Sequence, residues 1–376
     1  MLHRITHIVV LLCAACGTAL AADDAAPQPD IPALVAKLTS PKYYERESAL
    51  SALLERADEA TPAMLKAVES ADYQTRVAAV RFFAAKATPT IAPQLFDILK
   101  RSKEGEAVSG LTRVLARLQY KDAVAHVRGL MADSRPAVRA AAVDFLAALR
   151  DKESAAKVAP LLADEYSEVR IAASKALTAF GAVDFGKDVF AAFQKEKVPE
   201  ARRALVEALG ELKVSEAAPV LIEAVKDENS AIFLPSAFAL AKIGGDKARD
   251  ALVELLMRSK DLEMLGLAST ALGVMGESAI PALEAKLPGL QPDSEDRFKI
   301  LEAFGKMGKY VIPHLIAFIE SQEYPIWRGL AGDRLRAVIK REYGEDVDVP
   351  AYDTDPKTGQ KMIAQLKEWW EKHKDK

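Results

Sequence analysis

Ten times along this chain a residue is followed seven positions later by Leu or Phe, and the pairs recur on a nearly constant beat. The first members are Arg46, Arg76, Val108, Arg139, Arg170, Arg202, Phe233, Leu265, Arg297 and Arg328. Their partners are Leu53, Phe83, Leu115, Leu146, Leu177, Leu209, Leu240, Leu272, Phe304 and Leu335. Successive first members, called anchors below, lie 30 to 32 residues apart. The residue three after an anchor is mostly small or aliphatic, as at Ala49, Ala79, Ala142, Ala173 and Ala331. Steps of three, four and seven trace one stripe of a helix. Each anchor therefore marks a helix with one apolar face.

The stretch Asp133 to Asp164 shows what fills one period. Val138, Ala142, Phe145, Leu146 and Leu149 form the apolar stripe of a first helix, Arg150 to Glu153 is a polar break, and Ala156 to Leu162 opens a shorter second helix. Two such helices cannot hold together alone, because short isolated helices are marginal in water. They need neighbours of the same kind. A fixed period of this length with two helices in it predicts an all-α solenoid, an α-α superhelix of about ten helical hairpins.

The segments "VRAAAVDFL", "VRIAASKAL" and "ARRALVEAL" resemble HEAT repeats of the short bacterial type found in phycobilisome-lyase-like proteins, over roughly residues 40–340. The resemblance implies a HEAT/armadillo-type fold. It also implies a ladder of hydrogen bonds between stacked repeats, made by an Asp and an Arg six residues apart. Asp133 with Arg139 and Asp164 with Arg170 fit that pattern, and Glu196 with Arg202 fits approximately. Val108, Phe233 and Leu265 stand where the ladder would need arginine. Such a family specifies fold and says little about function.

The ends of the chain read differently. Met1 to Ala21 has a basic start at Arg4, an apolar core from Ile5 to Ala15 and an A-x-A site at Ala19-Leu20-Ala21, which together predict a secretory signal cleaved after Ala21. The alternative for this stretch is a lipid anchor at Cys16, since "CAAC" resembles a lipobox with Cys13 in place of Leu. The apolar run is too short for a membrane span of ~20 residues. Residues 22–30 are a linker, 31–340 the solenoid, and 341–376 a loop and capping helix. In that last helix Met362, Ile363, Leu366, Trp369 and Trp370 share one side. The tail looks like the ending of HEAT-repeat proteins that finish in a WW-containing helix, and physically it would cover an exposed array end.

Punctuation agrees with the period. Asp30 suits an N-cap for a helix from Ile31 to Leu38. Pro62, Pro93, Pro219, Pro281 and Pro313 lie near the starts of second helices, where a missing N–H costs little. Gly181, Gly244, Gly276 and Gly308 lie eleven residues past their anchors, where a left-handed helix end is expected. Two units are irregular. Gly105 and Gly110 fall inside one first helix, and "AIFLPSAF" puts Phe233 and Leu234 where a neighbouring unit has the polar pair Arg202-Arg203.

Chemistry-bearing motifs are missing from the sequence. Both cysteines, Cys13 and Cys16, lie in the leader, so the body has no thiolate for catalysis, metal or disulfide. The histidines beyond the leader, His126, His314 and His373, are far apart in sequence, and none is followed by Glu. That removes the repeated His-Glu pairs by which HEAT-like deoxyhypusine hydroxylases bind iron. HExxH, G-x-S-x-G and the phosphate-loop frame are absent. Asp164-Glu165 precedes a helix, where the backbone dipole alone favours negative charge. A net charge of −3 with acids interspersed throughout argues against nucleic acid, despite small basic groups at Lys100, Arg101 and Lys103 and at Lys195 and Lys197.

The expectation is thus a non-enzymatic, extracytoplasmic scaffold without cofactor or metal, binding a protein partner through its curved surface. By analogy with HEAT proteins the second helices would line the inner face, which offers Gln94, Asp97, His126, Arg128, Glu223, Lys226, Glu254, Arg258 and His314. Phe233, Tyr324 and Trp327 are aromatic candidates for interface anchors near unit junctions. The alternatives are a lyase-like or enzyme-accessory protein, or an architectural envelope component.

Overall fold

All ten anchors fall inside helices, each the first helix of its period. The computed structural model describes residues 29–375 except 229, 292–293, 322–323 and 352–353. The predicted leader and its cysteines lie outside the described residues. The chain divides into two compact units that meet between Lys86 and Ala87. Among the described residues every regular element is helical, and the architecture is an all-α solenoid of paired helices.

The first unit holds α1 (Ile31–Lys37), α2 (Tyr43–Glu55), α3 (Ala57–Ala67) and α4 (Tyr73–Lys86). Asp30 Oδ1 accepts from Ala33 N at 2.8 Å and caps α1, as its position predicts. Pro62 departs from expectation: it sits within α3 rather than at its start. Residues 57–60 wind as α-helix there, whereas every later unit but α14–α15 spends the corresponding residues on a 3-10 turn.

The second unit begins with α5 (Ala92–Arg101) and stacks hairpins upon one another. They are α6 (Gly105–Arg117) with α7 (Val124–Leu130), α8 (Pro136–Ala148) with α9 (Ala155–Val158), α10 (Ser167–Phe180) with α11 (Gly186–Lys195), and α12 (Pro199–Glu211) with α13 (Ala218–Ala224). Next come α14 (Phe233–Ile243) with α15 (Asp246–Arg258), α16 (Leu262–Met275) with α17 (Ile280–Glu284), and α18 (Glu295–Lys306) with α19 (Ile312–Ser321). The long α20 (Pro325–Tyr343) runs past the expected boundary at 340, and α21 (Pro356–His373) follows. Asp355 caps α21 by accepting from Lys357 N and Thr358 N, and the helix packs on α19 with Ile363 and Leu366 buried. No described helix is long and apolar enough to cross a membrane.

First helices pack directly on first helices, α6 through α20, because small residues let their backbones approach. A Cβ on Gly210 of α12 would come within 2.7 Å of Ala239 Cα on α14. One on Gly273 of α16 would meet the Lys306 carbonyl oxygen on α18 at the same distance. The +7 residues Leu115, Leu146, Leu177, Leu209, Leu240 and Leu272 are 0% exposed, so the stripe read from the sequence is the core. Burying a leucine contributes about 1.5–3 kcal/mol. The second helices are shorter and more interrupted. Only Ala155–Val158 is α-helical in the stretch expected as one helix to Leu162, and a 3-10 turn, Ala159–Ala163, replaces the rest. Pro160 has no N–H to continue the α pattern.

The eleventh residue after an anchor is left-handed in six consecutive periods. Gly181, Gly244 and Gly276 have φ of 63°, 75° and 65°, and Gln119, Arg150 and Lys213 adopt φ of 54°, 52° and 53° at the same position. A positive φ recurs there whether or not the residue is glycine, but Gly244 and Gly276 have ψ of −163° and −136°, where Gly181 has 37°. Gly308 is the exception among the expected glycines, with φ −75°, because the end of α18 falls at Met307 in extended conformation.

Candidate functional site

Two of the anchor arginines, Arg139 and Arg170, do two jobs, starting from the carbonyls that a helix end leaves unpaired. One edge of the guanidinium folds back. Arg139 Nη1 donates to the carbonyls of Asp133 (2.9 Å) and Ser134 (3.1 Å), and Arg170 Nη1 to those of Asp164 (2.9 Å) and Glu165 (3.1 Å). Arg46 and Arg76 make the same pair of bonds six and five residues back. The other edge reaches forward into the next repeat. Arg139 grips Asp164 with two bonds of 2.8 Å, and Arg170 grips Glu196 at 2.7 and 2.8 Å. Such bidentate pairs are the strong kind.

The ladder implied by family resemblance is therefore present, with its partners shifted. The residue six before the arginine offers its carbonyl, while its carboxylate crosses to the arginine of the preceding repeat. That carboxylate also holds its own turn: Glu196 Oε1 accepts from Lys197 N and Val198 N, both at 2.9 Å. The Arg170 guanidinium, aided by these amides, holds Glu196 below the usual carboxylate range. Burial pushes Asp164 up, but the bonds from Arg139 and from Tyr166 N, with the charges of Arg139 and Arg170, together outweigh it and the net shift is downward.

Where an anchor is not arginine, a basic residue from further along the chain supplies the cap. Val108 leaves the turn before it without a guanidinium, and Arg135 Nη1 donates to the Lys103 carbonyl instead. Arg135 also takes the Asp133 carboxylate, at 2.8 and 2.7 Å, that no residue-108 arginine is there to hold. Gly105 makes room: a Cβ there would stand 3.1 Å from Arg135 Cδ. Before Phe233, Arg258 donates to the carbonyls of Val225 and Lys226. Before Leu265, Lys299 Nζ donates to the Met257 carbonyl at 2.6 Å.

These bonds account for several residues that sequence reasoning offered as partner contacts. Arg258 is one of the substitute caps. Arg128 is held by Asp151 (2.6 and 2.9 Å), by Ser154 Oγ (3.0 Å) and by Glu153 (2.9 Å). His314 Nδ1 lies 2.7 Å from Glu284 Oε1, joining α19 to α17. His126 is half-buried, edge-on to Phe96 with centroids 5.8 Å apart. Burial and the charge of Lys100 keep its pKa below the ordinary value. Trp327, at the third position of α20, is 8% exposed and so buried rather than presented on the surface. Tyr324 stays on the surface at the α20 N-cap position, 48% exposed. Asp97 pairs with Lys100 of its own helix, and Glu223 with Lys226 just past the end of α13. Among the described residues no group of three or more His, Cys, Asp or Glu is placed to hold a metal.

Phe233 is different. It lines a groove of about 700 Å³ between α14 and α16. Leu234, Phe238, Met264 and Leu267 complete the apolar wall, and Leu234 is 47% exposed. Glu228, Asp261 and Glu263 line the same groove, and no lysine or arginine does. Asp261 Oδ1 accepts from Met264 N at 2.8 Å and caps α16. Leu262, at the head of α16, is 78% exposed.

Residues 92–178 and 187–273 match the family model described as HEAT repeats. The groove lies at the end of the second matched segment. Among solved structures, the CpcE–CpcF complex of phycocyanin lyase from Nostoc sp. PCC7120 aligns at 18% identity and TM-score 0.34, over 77% of this chain and 98% of that one. Kap121p bound to Nup53p aligns at 14% identity and TM-score 0.37, over 83% of this chain, and the match spans 45% of the Kap121p chain. Kap121p bound to the SUMO protease Ulp1p gives 14% and 0.37, over 82% and 45%. Curated proteins give no match.

Phe238, Met264, Leu267 and the three acids of the groove were not singled out from sequence. A signal existed at Phe238. The residue five after an anchor is charged at Arg81, Arg113, Asp144, Lys175, Glu207, Glu302 and Asp333, and uncharged only at Ser51, Phe238 and Thr270. Two adjacent interruptions of a charged column, beside two missing anchor arginines, coincide with the groove.

Proposed function

We propose that this chain is a non-enzymatic, extracytoplasmic HEAT-repeat scaffold that binds a protein partner, and that the α14–α16 groove is where the partner sits. The groove carries the reading. It gathers Phe233, Leu234, Phe238, Met264 and Leu267 on two neighbouring first helices, and at the position of Phe238 seven of the ten repeats carry a charge. Apolar surface collected in one concave place, rimmed by polar residues, is the usual mark of an interaction site. The arginines and the histidine of the second helices join repeats to one another, which supports placing recognition on the first-helix side. The secretory pattern of Met1 to Ala21 supports the compartment.

Site-specific photocrosslinking in the source cells tests both parts. With benzoylphenylalanine at position 234, one defined protein adduct is expected, lost when Phe238→Glu is added. With the probe at position 165, no adduct should form. Equal adducts at both positions would overturn the site. The mature protein from the envelope fraction should begin at Ala22; a retained Met1 would overturn the localisation.

A further inference from the structure

We infer that the α14–α16 groove receives a short cationic segment of the partner, two or three large apolar side chains flanked by lysine or arginine. This rests on the protein-binding reading and adds the chemistry of the occupant. The apolar wall of Phe233, Leu234, Phe238, Met264 and Leu267 sets the first requirement. A volume of about 700 Å³ lies within the ~300–1,000 Å³ typical of ligand sites, room for a few large side chains and not for a folded domain. An open trough between two helices suits a peptide that lays one apolar edge into it.

Charge sets the second requirement. Glu228, Asp261 and Glu263 contribute three negative charges to the lining, with no basic residue to offset them. Acids gather at helix starts for local reasons, so the helices must be counted. The N-termini of α14 and α16 each present about +0.5 charge, which leaves about −2. Asp261 already serves as the α16 cap, and Glu228 precedes the first turn of α14, so the surplus exceeds what capping needs. Lys260 is exposed beside Asp261 but does not line the groove, and counting it still leaves the sum negative. The sign disfavours nucleic acid and anionic lipid and favours a cationic peptide.

A random twelve-residue peptide display library, selected on the full chain at low salt, reads the chemistry without presuming a sequence. The enriched peptides should carry Leu, Phe or Trp flanked by Lys or Arg. Binding of a synthetic copy should weaken at least about tenfold in Glu228→Lys/Glu263→Lys and in Leu234→Asp. It should be unchanged in Glu165→Lys, an exposed site elsewhere in the array. All four substitutions are at exposed positions, and circular dichroism melts verify that the variants fold. Enriched peptides that are acidic or uncharged, yet lost in Leu234→Asp, would overturn the charge inference and leave the groove standing. Peptides indifferent to all groove variants, or no enrichment, would overturn the groove as well.

Discussion

The stretch α8–α10–α12 and the stretch α14–α16 are built from the same hairpin on the same beat, yet they treat their surfaces in opposite ways. In the first, Arg139 and Arg170 stitch each repeat to the next through Asp164 and Glu196, and Asp144, Lys175 and Glu207 keep the +5 column charged. In the second, Phe233 and Leu265 replace the arginines, Phe238 and Thr270 replace the charges, and the caps come from Arg258 and Lys299. The core stripe is the same in both: Leu177, Leu209, Leu240 and Leu272 are all 0% exposed. Stacking therefore depends on the leucines, and the arginine ladder is an addition that can be given up where apolar surface is needed outside.

One substitution made in both stretches should give the largest contrast. Leu177→Asp places an unpaired charge in the core and should destabilise by about 4 kcal/mol or more. Leu234→Asp, at a 47% exposed site, should stay within about 0.5 kcal/mol. Denaturant melts of the two variants measure this, and similar losses would mean that Leu234 belongs to the core.

Removing a stitch should cost less than that core charge. Arg170→Met leaves the Glu196 carboxylate, whose side chain is 4% exposed, without its cation, and about 2–4 kcal/mol should be lost at pH 7. The loss should depend on pH. Arg170 lowers the folded pKa of Glu196 from its ordinary 4.5, so the stabilisation is complete above that value and disappears as pH falls through the lower folded value. The gap between wild type and variant should therefore narrow in acid. A gap constant from pH 7 to pH 3 would mean that the pair contributes by packing rather than charge.

The smallest effect concerns the shared turn. Lys213 holds φ 53° where neighbouring repeats have glycine. Lys213→Gly should stabilise by about 0.5–1 kcal/mol by relieving a left-handed non-glycine residue. Gly244→Ala, at the corresponding position of the other stretch but with φ 75° and ψ −163°, a conformation nearly confined to glycine, should cost more, about 1–3 kcal/mol. Thermal melts of both would show whether the two stretches share one backbone requirement.

Much of this was legible from periodicity, because a helix stripe with a fixed step has one solution. The anchors and the buried leucines sit where the spacing puts them. Three kinds of feature were not legible. Contacts that cross repeats, such as Arg135 to Lys103 or Lys299 to Met257, join residues 32 and 42 apart and follow no short motif. Side-chain direction was a second blind spot: Arg128, Arg258 and His314 read as free polar residues on a helix face, but each leans onto a neighbour. Trp327, an aromatic near a junction, turned inward for the same reason. The groove was half visible, since Phe233, Leu234 and the break in the charged column at Phe238 stood out against the repeat, while Met264 and Leu267 needed the two helices side by side.

The reach of the arginine bridges has an evolutionary corollary. Arg139 to Asp164 and Arg170 to Glu196 span 25 and 26 residues, less than one period. Duplicating or excising one whole hairpin in that stretch would recreate an equivalent bridge at the seam, so its length is free to drift in units of a repeat. The Lys299 to Met257 bond spans 42 residues and steps over a complete hairpin. Excision of the α16–α17 hairpin would remove what that bond is built across, so the neighbourhood of the groove is the part of the array least able to change its repeat number.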